Sequence, residues 1–123
     1  LKAWVIEDFK DIPTCDYSPK AIQEPVLDEN MQGKMVYIQS MKDTRSLQLL
    51  WELPLTFPIE EAFHPAQFMS SLLGHEGPGS LFTILKAEQI AESLSCSSYR
   101  LGKDHLIFTL EIQLTQEGLE NVN

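Results

Sequence analysis

Leu106, Phe108, Leu110, Ile112 and Leu114 recur at every second position of the chain, with Glu111 and Gln113 between the last of them. Side chains two apart in a strand lie on the same side, so His105 to Leu114 reads as a strand with one apolar face. That face has to be covered by a second layer. Ser93 to Leu101 reads as a companion strand, joined through Gly102-Lys103-Asp104 into a hairpin.

A second strand pair is expected upstream. Met35 to Met41, MVYIQSM, is rich in strand formers, and in SLQLLWEL the residues Leu47, Leu49, Trp51 and Leu53 alternate strictly. The polar turn Lys42-Asp43-Thr44-Arg45 between them predicts an antiparallel hairpin, ended by Pro54 and Pro58. A helix is expected near 65 to 74, with Pro65 in its first turn, where a missing N–H costs nothing. Phe68, Met69, Leu72 and Leu73 recur along it at helical spacing. Gly77-Pro78-Gly79 interrupts this helix, and Ser80 caps a second one whose buried stripe is Leu81, Ile84 and Leu85. Trp51, Phe68 and Phe108 are assigned to the core, and TQEGLENVN to the start of another helix. The order predicts an α+β fold, a mostly antiparallel sheet with helices packed on one face.

With 123 residues and 43% apolar content, the chain suffices for one core and not for two. Residues 10 to 33 carry Pro13, Pro19, Pro25 and Gly33 without a sustained period, which suits an extended approach segment. Two parts are therefore expected: a connector over 1–33 and a folded unit over 34–123. The start at Leu1 rather than Met suggests a piece of something longer. Eighteen acidic against nine basic residues give a net charge of −9. That balance disfavours nucleic acid and an anionic membrane as partners and suits basic or N-terminal amino groups; a solvated acidic face explains it equally well. No apolar run reaches the length of a membrane span. Cys15 and Cys96 form no CxxC or Cys/His pair, so a reduced compartment is the default.

Hydrolytic zinc chemistry needs imidazoles and a carboxylate converging on the metal, and His64, His75 and His105 fit neither HExxH nor its inversion HxxEH. No metal site or catalytic residue is therefore expected within the chain. The serines lack a GxSxG elbow, Cys96 reads as a small buried side chain, and Gly74, Gly77 and Gly79 carry no phosphate-binding GK[ST].

The most distinctive stretch is Leu72 to Lys86, LLGHEGPGSLFTILK, where one helix ends and another restarts at once. It closely resembles the helix-loop-helix that opens the second, non-catalytic domain of the insulinase family of zinc metallopeptidases, the M16 inverzincins. Lys42-Asp43-x-Arg45-x-Leu47, Leu53-Pro54 and Thr115-Gln116-Glu117-Gly118-Leu119 extend the likeness, which is traceable from about Gly33 to Leu119. The family's HxxEH lies in a preceding domain. The resemblance implies that 34–123 is the N-terminal part of such a non-catalytic domain. Zinc would then belong to the parent enzyme, and this chain should be inactive alone. Its partners would be a peptide substrate and the catalytic domain of the same parent, and its location cytoplasmic.

In these peptidases the second domain walls an enclosed chamber, and the resemblance places Gly74, Glu76 and Leu94 in the exosite that anchors a substrate peptide's N-terminus. A carboxylate at Glu76 could pair with an α-ammonium, and Gly74 lets a peptide backbone approach closely. The residues themselves leave a second role open, in which Glu76 caps N–H groups of the next helix and His75 hydrogen-bonds to backbone. Departures fall at Gln67, Ser70 and Ser71, where the family has histidines and a glycine, and at Gln89-Ile90 and Cys96-Ser97, where it has Gly-Trp and Gly-Gly. Side chains at such glycine positions should hinder addition of a peptide to the strand edge. The alternative reading is a self-standing peptide-binding or regulatory module derived from an inactive relative.

Overall fold

A computed structural model describes residues 1–18, 20, 22, 24–53, 64–102 and 104–122. The strand ends expected at Pro54 and Pro58, Pro19 of the approach segment and Lys103 of the hairpin turn lie outside the described residues. Along the chain come α1 (Lys2–Phe9), β1 (Ser46–Leu53), α2 (Pro65–Leu73), α3 (Leu81–Ala87), β2 (Ala91–Leu101), β3 (His105–Leu114) and α4 (Gln116–Asn121). The strands form one antiparallel sheet in the order β1-β3-β2, so the expected α+β class holds.

The alternation in β3 sets the layers. Leu110 lies opposite Leu49 on one side and Cys96 on the other, and Ile112 lies between Leu47 and Leu94. Directly opposed residues share a face, so these side chains form one apolar surface. Phe82 of α3 packs onto it, and with Ala91, Leu94, Leu110, Ile112 and Leu114 makes the buried cluster. Trp51 and Phe108 meet further along the same face, their ring centroids 5.9 Å apart. The other face carries Ile107 and Thr109, both buried, and Thr109 shares a 2.9 Å hydroxyl hydrogen bond with Ser97.

Three expectations need correction. First, Met35–Met41 forms no strand, and β1 pairs with β3 rather than with its sequence neighbour. The polar turn closes locally instead: the Ser40 hydroxyl accepts the Lys42 N–H at 3.1 Å and bonds the Thr44 hydroxyl at 2.7 Å, while the Thr44 N–H donates to the Lys42 carbonyl. Such local side-chain bonds compete with a ladder, and MVYIQSM stays exposed, with Ile38 at 85%.

Second, the stripe of α3 is rotated. Phe82 and Leu85 face the sheet, while Leu81 and Ile84 are exposed. The reason is length: a helix of seven residues lays one residue per turn on the sheet, and the bulkiest side chain takes the contact. Third, Phe68 (61% exposed) and Trp51 (44%) are not core residues, although Phe108 is. The helix α2 turns its small side toward β2, burying Ser70, so its large residues Phe68, Met69 and Leu72 point away.

The helix α1 stands within the segment read as a connector and has neither a capping side chain nor a buried residue. The described part of 10–33 holds no helix or strand. No described helix is long and apolar enough to cross a membrane.

Candidate functional site

The loop between α2 and α3 is organised by its own sequence. Gly74 ends α2, its N–H donating to the Ser70 carbonyl at 2.9 Å. Gly79 takes a positive φ of 80° that side chains disfavour. Ser80 then caps α3, its hydroxyl accepting the Thr83 N–H at 3.2 Å. Thr83 returns its own hydroxyl to the Gly77 carbonyl at 2.8 Å, tying the loop to the helix it precedes. Nothing in the sequence reading singled out Thr83, although its place three residues after a capping serine was a usable signal.

This loop lies against β2. A Cβ on Gly74 would stand 3.6 Å from both the Cβ and the backbone nitrogen of Cys96, and 2.9 Å from the Ser70 carbonyl oxygen. A side chain there would be in ordinary contact with Cys96 but would crowd the Ser70 carbonyl, so the glycine relieves the last turn of α2 itself. Burial pushes the Cys96 thiol up from its usual range, against hydrogen bonding from Ser70 and the Ser97 backbone. A thiol so placed is protonated and inert at neutral pH.

Glu76 is exposed, and its carboxylate takes no hydrogen bond or ion pair among the described residues. Capping of α3 falls to Ser80, so the bracing role open to Glu76 in the sequence is filled by another residue. The His75 ring lies over Gly77, where any side chain would collide with it. Leu94 is 5% exposed and packed in the core, so only its main chain is available to a ligand. The structure thus sets Gly74 against Cys96 of β2, leaves Glu76 exposed in the loop that follows and turns the Leu94 side chain inward. On the far side of β2 from β3 no strand is paired among the described residues.

Gln89 follows α3 with φ of 60°, the left-handed conformation that glycine adopts most readily. This is one of the positions at which the sequence departs from the glycine pattern, and the backbone keeps the glycine-like conformation. Thr115, the cap of α4, docks on the same corner by accepting the Gly118 N–H and donating its hydroxyl to the Gln89 carbonyl.

A second polar cluster lies at the opposite end of the sheet. His105 Nδ1 and Glu52 Oε1 are 2.6 Å apart, and Glu52 Oε2 accepts the Leu27 N–H at 2.8 Å. The hydrogen bond from the Leu27 backbone does most to hold the Glu52 carboxyl below its usual range, against partial burial, with Val26 and His105 adding to the lowering. No three His, Cys, Asp or Glu side chains among the described residues are grouped so that they could hold a metal ion. His64 and His75 are both exposed and His105 is committed to Glu52, so the residues present do not fit zinc.

A family model described as the Peptidase M16 inactive domain matches residues 1–123. The chain is 34% identical to a nardilysin-like protein of Arabidopsis thaliana, over 99% of this chain and 12% of that protein. It is 30% identical to the A-factor-processing enzyme of Saccharomyces cerevisiae, over 97% of this chain and 12% of that enzyme. Insulin-degrading enzyme of Drosophila melanogaster is 27% identical over the whole of this chain and 12% of its own length. Among solved structures, pitrilysin superposes with a TM-score of 0.49 at 17% identity, covering 63% of this chain and 8% of that one. The chain thus spans about 12% of the length of these curated relatives. A match over all 123 residues places the chain in the M16, insulinase-like peptidase family, as part of its inactive domain.

Proposed function

We propose that this chain serves an M16 zinc metallopeptidase as part of its chamber wall and anchors the N-terminus of a peptide substrate, while catalysis belongs to another part of the parent. The observation that supports the reading is the exposed carboxylate of Glu76, which takes no hydrogen bond or ion pair among the described residues and stands two residues after Gly74, where the end of α2 packs on β2. An α-ammonium is the complementary group, since a charge-assisted hydrogen bond to a carboxylate is short and strong. Leu94 contributes its main chain, in the manner of a peptide added to a strand edge. Cys96 narrows the same edge, so binding is expected to be weaker than where glycine stands. Zinc, with the ligands that hold it, belongs to the catalytic domain of the parent in this reading, and the cytoplasm is the proposed compartment.

The test is a titration of the chain with one peptide in free and N-acetylated forms. The free form should bind about 10-fold tighter or more, and Glu76→Gln should remove the difference. Equal affinities in the unaltered chain, or no binding of either peptide at millimolar concentration, would remove the anchoring role.

A further inference from the structure

Among the described residues 1–44, Leu27 is the only one that is not exposed. It is also the residue whose N–H reaches the sheet, through the 2.8 Å bond to Glu52 Oε2. The other oxygen of that carboxylate holds His105 Nδ1 at 2.6 Å, with side-chain exposures of 16% for Glu52 and 10% for His105. His105 Nε2 is buried and has no hydrogen-bond partner, so Glu52 is the ring's polar anchor among the described residues. Five residues upstream of Leu27, the Ile22 N–H donates to Asp104 Oδ2 at 3.0 Å. Immediately downstream the chain locks into a turn, the Met31 N–H donating to the Asp28 carbonyl at 2.9 Å and to Asp28 Oδ1 at 3.0 Å.

We propose that Glu52 and His105 form a latch that fastens residues 24–34 to the sheet, making a fixed strap of what composition alone reads as an extended approach segment. An ionised carboxylate accepts on both oxygens and donates on neither. Glu52 therefore joins three parts of the chain at one point: β1, which carries it, β3 through His105 and the strap through Leu27. The strap stands off the outer edge of β1 across a groove of about 1310 Å³. Its ionisable lining is Glu52 of β1, His105 of β3, Asp104 of the hairpin turn and Lys34 of the strap. Opening the latch frees the strap from that edge and frees the chain before it to move independently of the sheet. The proposal does not depend on peptide binding at Glu76, because the two clusters share no residue.

Amide exchange in the intact chain tests it. The Leu27 N–H should be protected, and Glu52→Gln, which turns one acceptor into a donor, should speed its exchange about 10-fold or more. Leu110, central in β3, should keep its rate. If Glu52→Gln does not fold, Leu27→Pro removes the same donor from outside the sheet, and tryptic cleavage after Lys34 should then accelerate by a similar factor. A Leu27 amide that exchanges freely in the unaltered chain, an exchange rate unmoved by Glu52→Gln, or unchanged cleavage in Leu27→Pro would overturn the latch.

Discussion

Met35–Met41 and His105–Leu114 are comparably apolar, yet the first exposes every residue while the second holds most of the core. The difference is the number of neighbours. β3 is flanked by a strand on each side and covered by α3 on one face. MVYIQSM forms no strand pairing among the described residues, and its Ser40, with Thr44 just beyond it, uses hydrogen bonds in a local turn. The same contrast runs through the described residues, since every buried apolar one among them follows position 81. Strand-forming side chains describe what a segment can do once a partner exists.

The sharpest way to break this comparison is a matched pair of truncations. Leu110→Ala should cost about 3 kcal/mol, the usual price of a cavity in a packed core. Ile38→Ala should stay within about 0.5 kcal/mol. Urea unfolding measures both, and a large loss at Ile38 would mean that MVYIQSM is packed after all. A smaller effect sharpens the picture of the second region, whose packing holds Gln89 at φ of 60°. Gln89→Gly should relieve that conformation and raise stability by about 1 kcal/mol; a loss of stability would show that the Gln89 side chain contributes more than its backbone costs.

The smallest effect lies where the two regions meet. Glu52 titrates below its ordinary range in the folded chain, so its contribution is complete above that range and is lost as pH falls through the lowered value. Between pH 6 and pH 3, Glu52→Gln should therefore flatten the loss of stability seen in the unaltered chain. Identical slopes would mean that the carboxylate gains nothing from Leu27 and His105.

Much of the second region was legible because its signals are local. Pro65 at a helix start, Ser80 as a cap, TQEGLENVN as the start of a helix and the alternation of β3 each act within a few residues, and each element stands where its signal put it. The helix-facing sides were harder to read. Phe68 and Leu72 have the spacing of a buried stripe, but α2 approaches β2 through Ser70 and Gly74, so its large residues face away from the sheet. Gly74 and Glu76 were singled out only through the likeness of their motif, and the structure places Gly74 against β2 and leaves Glu76 exposed. Whether the Glu76 carboxylate was free or spent on capping α3 depended on Ser80 occupying the cap.

By itself the sequence determined the family, the class of fold, the strand His105–Leu114 and the lack of a zinc motif, since these rest on residue identity and short-range spacing. Tertiary structure decided which strand neighbours β1, which side of each helix is buried and how Glu52, His105 and Leu27 meet. Those outcomes join residues 25 and 53 positions apart. No periodicity encodes such a meeting, because the energy of each contact exists only after the sheet has brought its members together.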